Sequence, residues 1–228
     1  MRSRVVLPGF ALLLVACTGG SGDPIDPVPC DPEAEDCVYE TTLEYPDGPF
    51  GTSIGNVIEP FTFEGYIDPS TRFGEDARVT ISLTEFFNPP DGDGVYGPDS
   101  IFEEGSPKPK ALMMNVAAVW CGPCKEEAAQ ILPKEYAALH PKGMELLSIL
   151  TDSDTPGDPA GLSDLDNWVL AFSSTYPSVI DPDYKVGLLV DTTQYPANFI
   201  IDTSTMTIVE VVVGKPSTSF FEKLNQLL

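Results

Sequence analysis

Two cysteines separated by two residues constrain this 228-residue chain more than any other feature. They lie in the run Trp-Cys-Gly-Pro-Cys at residues 120–124. Before the run, residues 111–119 are almost continuously apolar, as a strand covered on both faces requires. After it, residues 125–139 have apolar side chains near helical spacing, so most of one face is apolar. The pattern predicts a strand that leads into a helix, with the cysteines at the junction.

A strand-to-helix junction is the setting in which a Cys-x-x-Cys pair is typical of a redox site. Backbone N–H groups and the helix dipole favour an anion at the first thiol and lower its pKa. We therefore expect Cys121 to be an attacking thiolate, exposed at the start of the helix. Cys124 follows one turn later, close enough to resolve a mixed disulfide.

A structural disulfide and half of a zinc site are the alternatives for this pair. A structural disulfide would need neither the preceding tryptophan nor the enclosed Gly-Pro. Zinc takes about four ligands. The other soft candidates are Cys30, Cys37 and the single histidine His140, and none has a second short pairing nearby in sequence. The residues favour a redox disulfide, and we expect no metal.

The run at residues 120–124 resembles the active site of thioredoxin-like proteins, in particular redoxins of the TlpA and ResA type. Residues 195–202 resemble the segment in which those proteins carry a cis-proline facing the disulfide, and residues 51–63 resemble the N-terminal lead-in of the redoxin group. Asn115 and Glu127 match an asparagine and a glutamate that are common in the TlpA and ResA branch. The resemblance covers about residues 50–228.

This resemblance implies an α/β, thioredoxin-like fold with a mixed central sheet flanked by helices and an N-terminal redoxin-type extension. The residue pattern agrees with it. It predicts strands at 79–83 and 144–150, an amphipathic helix marked by apolar residues from 162 to 172, a hairpin of 199–201 with 207–213, and a closing helix lined by Phe220, Phe221, Leu224, Leu227 and Leu228.

The resemblance also implies roles for residues around the disulfide. Pro196, in the cis form, would shape the substrate groove beside the thiols, and Tyr195 before it would offer backbone hydrogen bonds to an extended substrate. Gly122 and Pro123 would line the same groove. Trp120 would shield one side of the disulfide, although a simple core aromatic is the alternative.

Glu127 lies one turn past Cys124 and could accept or relay the proton that Cys124 loses. Its negative charge would raise the pKa of neighbouring thiols. An exposed helix carboxylate is an equally open interpretation. Asn115 could form a polar buried site near Cys124 or be a hydrogen-bonded core amide. The branch often has proline five residues after its second cysteine, where this chain has Ala129. Here Pro133 comes later, so we expect the helix to bend about one turn further along.

The N-terminus resembles that of an exported lipoprotein. Residues 1–16 contain two arginines and then an apolar stretch, which is typical of an export signal. Residues 14–17, Leu-Val-Ala-Cys, resemble a bacterial lipobox, which would make Cys17 the lipid attachment site. An ordinary cleaved signal peptide is the alternative. We predict a lipoprotein signal peptide at 1–16, an acidic Pro/Gly-rich tether at 17–49 and the thioredoxin-like domain at 50–228.

Lipidation of Cys17 would leave four of the five cysteines. By default, Cys30 and Cys37 would then form a second disulfide, which export makes plausible. We interpret this second pair as structural, because it lies in a Pro- and acid-rich segment with no helix to activate a thiol.

A Pro- and Gly-rich insertion at about 88–109 interrupts the domain pattern, and we expect a solvated loop near the active site. Within it, residues 91–94 read Asp-Gly-Asp-Gly, as in calcium loops. An EF-hand pattern would need an oxygen ligand at position 89, which is Pro89, and an acidic residue at position 100, which is Ser100, so calcium is the weaker interpretation.

The chain has 35 acidic and 12 basic residues, a net charge of −23, which argues against binding to nucleic acid or, by charge, to anionic lipid. The resemblances at the N-terminus and around the disulfide together imply an exported, monomeric enzyme on the periplasmic side of a bacterial membrane, held there only by its lipid anchor. It would act on protein thiols and disulfides, would receive electrons from a membrane or periplasmic donor, and would need no cofactor besides its disulfide.

Two other functions are compatible with the same residues. A thiol-dependent peroxidase of the redoxin group would carry a Pro-x-x-x-Thr/Ser-x-x-Cys pattern. This chain has Met114 and Ala118 at the proline and hydroxyl positions. A non-catalytic acidic lipoprotein would use the fold for binding alone. The enclosed Gly-Pro resembles reducing thioredoxins, and we expect the reduction of protein disulfides.

Overall fold

The computed structural model describes residues 44–51, 53–186 and 194–228. The predicted signal peptide, Cys17, the Cys30–Cys37 pair and most of the tether lie outside the described residues. They therefore stay predictions. Among the helices that are described, none is both long enough and apolar enough to cross a bilayer.

Seven strands of the described chain form one mixed sheet in the order β2-β1-β5-β4-β3-β6-β7. The central strand β3 pairs in parallel with β4 and antiparallel with β6, and it is buried along its whole length, which explains its continuous apolar sequence. The strands are β1 Thr62–Tyr66, β2 Val79–Ser82, β3 Ala111–Ala118, β4 Met144–Asp152, β5 Ser178–Ile180, β6 Ala197–Asp202 and β7 Thr207–Val213.

Helices cover both faces of this sheet, so the predicted α/β class with a mixed central sheet is confirmed. They are α1 Gly122–Glu126, α2 Leu132–Leu139, α3 Leu162–Phe172 and α4 Thr218–Asn225. Alternate residues of β3 belong to two apolar cores. Leu112 and Met114 pack with α3, whereas Ala111 and Met113 pack with α2 and α4. By this alternation, Asn115 faces the side of α2 and α4.

The helix predicted after the cysteines is not continuous. Between α1 and α2, residues Glu127–Ile131 form one wide π-helical turn, in which the N–H of Leu132 donates to the carbonyl of Glu127. Pro133 follows at the start of α2. A proline has no N–H and its ring collides with the carbonyl four residues earlier, so a widened turn at this place relieves the conflict. The expected irregularity is therefore located just before Pro133.

The insertion lies at the opposite end of the sheet from the cysteines, so its predicted position near the active site is wrong. The N–H of Asn88 donates to the Thr203 carbonyl at 2.9 Å, and its side chain donates to the Pro109 carbonyl at 3.1 Å, beside the first residue of β3. The cysteines follow the last residue of β3, about 25 Å away for a strand of this length.

Aromatic packing also makes the insertion less solvated than its Pro/Gly-rich composition suggests. Tyr96 is buried and stacks on Phe102 with 4.6 Å between ring centroids. Phe102 also contacts Phe86 of the core. Within the Asp-Gly-Asp-Gly run, the Asp93 carboxylate accepts a hydrogen bond from the N–H of Val95. The insertion thus covers one end of the sheet with a few packed aromatic side chains, while its acidic residues are exposed.

Candidate active site

Cys121 and Cys124 form a disulfide at the start of α1, with 5.3 Å between their Cα atoms. Cys121 is the N-cap residue, and its Sγ accepts a hydrogen bond from the N–H of Cys124 at 3.1 Å. This bond would equally stabilise a thiolate at Cys121. The predicted strand-to-helix junction is thus present, with the first sulfur facing a backbone donor.

The predicted exposure of Cys121 is wrong for this oxidised state. Only 2% of Cys121 and 1% of Cys124 is accessible to solvent. Both cysteines belong to the apolar core that includes Ala118 at the end of β3. Gly122 and Pro123 between them are exposed, so a substrate would approach across these two residues.

Tyr195 and Pro196 lie beside this disulfide, at the beginning of β6. The peptide bond between them is cis, as expected. Strand pairing places Ala197 opposite Val116, near the end of β3 from which the cysteines follow. The hydroxyl groups of Tyr195 and Thr151 are hydrogen-bonded at 2.8 Å. The structure therefore brings the two predicted groove segments, residues 122–123 and 195–196, to the same end of the sheet.

Trp120 is half-buried and oriented by a carboxylate that the sequence did not suggest. Its Nε1–H donates to Asp152 Oδ2 at 2.9 Å, and the N–H of Gly157 donates to the same oxygen at 3.0 Å. The indole also meets the ring of Tyr195 edge-on, with 5.8 Å between centroids. Asp152 is the last residue of the buried strand β4, and this position was its only signal in the sequence.

Glu127 is fully buried, so its interpretation as an exposed helix carboxylate is wrong. Asn115 Nδ2 donates to Glu127 Oε2 at 2.8 Å, and Asn198 Nδ2 donates to Glu127 Oε1 at 3.1 Å. Asn115 Nδ2 also donates to Asn198 Oδ1 at 3.0 Å. Asn115 is thus both buried and part of a polar group beside the helix that carries Cys124.

Burial raises the pKa of Glu127 to about 7, while hydrogen bonds from Asn198 and Asn115 and the positive charge of Lys215 oppose that rise. The carboxyl group can therefore take up or release a proton near neutral pH. Cys124 and Glu127 are buried one turn apart on the same segment, and the N–H of Glu127 donates to the Cys124 carbonyl. A carboxyl group that can titrate near neutral pH thus lies one helical turn from the buried Cys124.

Asn198 is a second site residue, after Asp152, that the sequence did not suggest. It lies opposite Asn115 in the pairing of β3 with β6, where an amide interrupts an apolar strand. That interruption was a usable signal, but its meaning depends on Glu127, which is 71 residues distant along the chain. Among the described residues, no group of three or more His, Cys, Asp or Glu side chains is placed to hold a metal ion.

The arrangement agrees with a match to a known family. A model of the AhpC/TSA family matches residues 101–211, which include the disulfide, Glu127 and both asparagines. The family model matches just under half of the chain, and the fold of the chain is thioredoxin-like. The match and the Cys121–Cys124 disulfide identify it as a thiol–disulfide oxidoreductase of the redoxin type, whose redox group is that disulfide. No curated protein matches the chain in sequence.

Solved structures show the same fold at low sequence identity. AhpC of Enterococcus faecalis aligns with a TM-score of 0.53 and 16% identity, covering 76% of this chain and 90% of its own. A protein from Bacteroides thetaiotaomicron assigned as a protein disulfide isomerase gives 0.52 and 17%, covering 77% and 88%. One from Chlorobium tepidum assigned as the thiol:disulfide interchange protein DsbE gives 0.51 and 16%, covering 78% and 96%. At these identities the likeness concerns the fold of this thioredoxin-like protein.

Proposed function

We propose that this thioredoxin-like protein is a membrane-tethered oxidoreductase of the cell envelope that reduces disulfides in other proteins. The observation that carries the proposal is the hydrogen bond from the Cys124 N–H to Cys121 Sγ, beside a buried carboxyl group that titrates near neutral pH. The first feature supports a nucleophilic thiolate at Cys121. The second supports a proton acceptor for Cys124.

The reaction begins from the reduced dithiol. The Cys121 thiolate attacks one sulfur of a substrate disulfide, a mixed disulfide forms, and the other substrate sulfur leaves as a thiolate that takes a proton from water. Cys124 then loses its proton to Glu127 and attacks the Cys121 sulfur. The Cys121–Cys124 bond forms and the bond to the substrate breaks. Two electrons have passed to the substrate, and a dithiol donor must return two electrons to the enzyme.

Glu127 is the residue that we assign to the proton of Cys124. Both groups are buried, so water has poor access to the thiol when it must ionise. A carboxylate with a pKa of about 7 is half ionised at neutral pH and can accept that proton. The same negative charge opposes the ionisation of both thiols, so Glu127 limits how far their pKa values fall.

Location and partners are part of the same proposal. An export signal at 1–16 and a lipid on Cys17 would hold the domain at the periplasmic side of a bacterial membrane through the tether. The excess of acidic residues supports attachment through lipid rather than through basic side chains. We propose a monomer that meets protein substrates and a membrane or periplasmic dithiol donor.

The AhpC/TSA match gives the peroxidase alternative a specific observation in its favour. The residues argue against it, because Met114 and Ala118 are both fully buried apolar side chains of β3. They offer neither the hydroxyl nor the proline of the peroxidase pattern. Consumption of a hydroperoxide by the reduced protein, at a rate that matches its disulfide reductase rate, would favour the alternative.

Reduction of insulin disulfides by the soluble domain, with dithiothreitol as the electron supply, tests the proposal. Wild type should accelerate insulin reduction, and Cys121→Ser should abolish the acceleration. Cys124→Ser that has been reduced, freed of dithiothreitol and then mixed with insulin should accumulate a mixed disulfide between Cys121 and insulin. A wild-type protein that stays oxidised in dithiothreitol and is inert toward insulin would instead support the non-catalytic binding lipoprotein.

A further inference from the structure

The two amide side chains beside Glu127 use all of their hydrogens. Asn115 Nδ2 donates to Glu127 Oε2 and to Asn198 Oδ1, at 2.8 and 3.0 Å. Asn198 Nδ2 donates to Glu127 Oε1 and to the Gly214 carbonyl, at 3.1 and 3.3 Å. Rotating the Asn198 amide by half a turn would place its oxygen against the Gly214 carbonyl, which can only accept, so that two acceptors would meet. The donors therefore have one consistent arrangement.

This arrangement suits the ionised form of Glu127. Each carboxylate oxygen accepts one N–H bond, which an anion can do without loss. In a protonated Glu127, one oxygen becomes a hydroxyl and a weaker acceptor, so one of the two hydrogen bonds would be weakened. The amides thus oppose the effect of burial, which favours the neutral acid.

Asn198 also links Glu127, through hydrogen bonds, to the segment between β7 and α4. It lies two residues after Pro196, and its second N–H goes to Gly214 in the segment between β7 and α4. The next residue, Lys215, forms an ion pair with Glu126 and lowers the pKa of Glu127. Asn198 is the one amide of the pair that contacts both Glu127 and this segment.

We propose that Asn198 is a positioning residue of this site, which holds Glu127 as the oriented carboxylate that accepts the proton of Cys124. The inference rests on the proposed function. The charged and titratable groups around Glu127 are Lys215 from the β7–α4 segment, Glu126 paired with it, Tyr176 before β5 and Cys124 on α1. Asn198 differs from these because it carries no charge, so its removal changes hydrogen bonding without adding or removing a titrating group.

Asn198→Val removes both donors and introduces an apolar, β-branched side chain that suits a strand. Two quantities are measured against pH. The first is the carboxyl ¹³C chemical shift of Glu127. The second is the rate at which Cys124 attacks a mixed disulfide between Cys121 and a chromogenic thiol and so releases that thiol. Loss of the hydrogen bond to a charged group should raise the pKa of Glu127 by about one unit or more. The rate profile should move by the same amount to higher pH, with roughly a fivefold loss at pH 7.

Thr203→Val is the matched control. Thr203 is equally buried, in the turn directly after the far end of β6, and its hydroxyl donates to the Pro109 carbonyl at 2.6 Å. This variant removes a buried hydrogen bond without touching Glu127, and neither pH profile should move. Asn198→Thr is a second variant in case Asn198→Val does not fold. It keeps one donor, so an intermediate shift is expected.

A Glu127 pKa that stays at the wild-type value in folded Asn198→Val or Asn198→Thr would overturn the inference, as would a slower rate with an unmoved pH profile. The failure of the proposed function would look different, because wild type itself would then lack Cys121-dependent exchange. The carboxyl titration separates these two results, since it requires no turnover.

Discussion

At the residue scale, the site contains two groups that can carry negative charge in different surroundings, the Cys121 sulfur and the Glu127 carboxyl group. Cys121 Sγ faces a backbone N–H and is suited to carry negative charge, whereas Glu127 is fully buried and bound by two amides. Helical spacing placed Glu127 on the face of Cys124 but left its exposure open. The burial became visible only with the wide turn before Pro133 and with partners from two strands.

Replacing Glu127 with glutamine should slow the release of substrate from the mixed disulfide by roughly 100-fold at pH 7, since a general base contributes about that much. The pH dependence near 7 should flatten. Stopped-flow measurement of thiol release would show both effects. Glu222→Gln on the exposed face of α4 is the control and should behave like wild type. A Glu127→Gln profile that matches wild type would exclude Glu127 as the proton acceptor.

The same residue should make stability depend on pH. Burial raises the pKa of Glu127 from its ordinary 4.5 to about 7, so its contribution to stability is fully present below about pH 4.5 and is lost as the pH rises through about 7. Relative to Glu127→Gln, the oxidised wild-type protein should lose on the order of 3 kcal/mol of unfolding free energy between pH 4.5 and 8. Urea unfolding at both pH values measures this, and an equal change in the two proteins would contradict it.

At the scale of elements, long apolar or amphipathic segments could be predicted from the sequence. Short strands whose pairing partners are distant in the chain could not. Strands β3 and β4, helix α3 and the β6–β7 hairpin agree with their sequence patterns. Strand β5 has only three residues and pairs with β4 and β1, which are distant in the chain. The high Pro and Gly content of the insertion predicted a solvated loop. Composition does not show that two of its aromatic side chains, Tyr96 and Phe102, stack on each other.

The insertion gives a prediction at this scale. Tyr96→Ala should destabilise the domain by about 3 kcal/mol, because it removes a buried ring that stacks on Phe102. It should leave the rate of insulin reduction per folded molecule unchanged, since the insertion caps the end of the sheet opposite the disulfide. Denaturant unfolding and the insulin assay measure the two effects. A folded variant with a several-fold lower rate would show that the insertion takes part in the reaction.

At the scale of the whole molecule, the two ends of the sheet carry different features. The end where β3 finishes carries the disulfide, the cis-proline and the buried acid, and the end where β3 begins carries the insertion. The Cys-x-x-Cys junction predicted the first end from the sequence alone. The arrangement supports a reductant, because Glu127 disfavours the thiolates and so does not stabilise the reduced form in the way that a strong oxidant requires.

The reduction potential of the Cys121–Cys124 disulfide tests this central claim most directly. The soluble domain would be equilibrated with dithiothreitol or glutathione buffers, and the fraction of reduced protein measured by thiol trapping. A value near about −270 mV, like that of thioredoxin, is the result expected for a protein-disulfide reductase that receives electrons from a dithiol donor. A value near about −120 mV, like that of a strong dithiol oxidant, would contradict the proposed direction and indicate an enzyme that introduces disulfides.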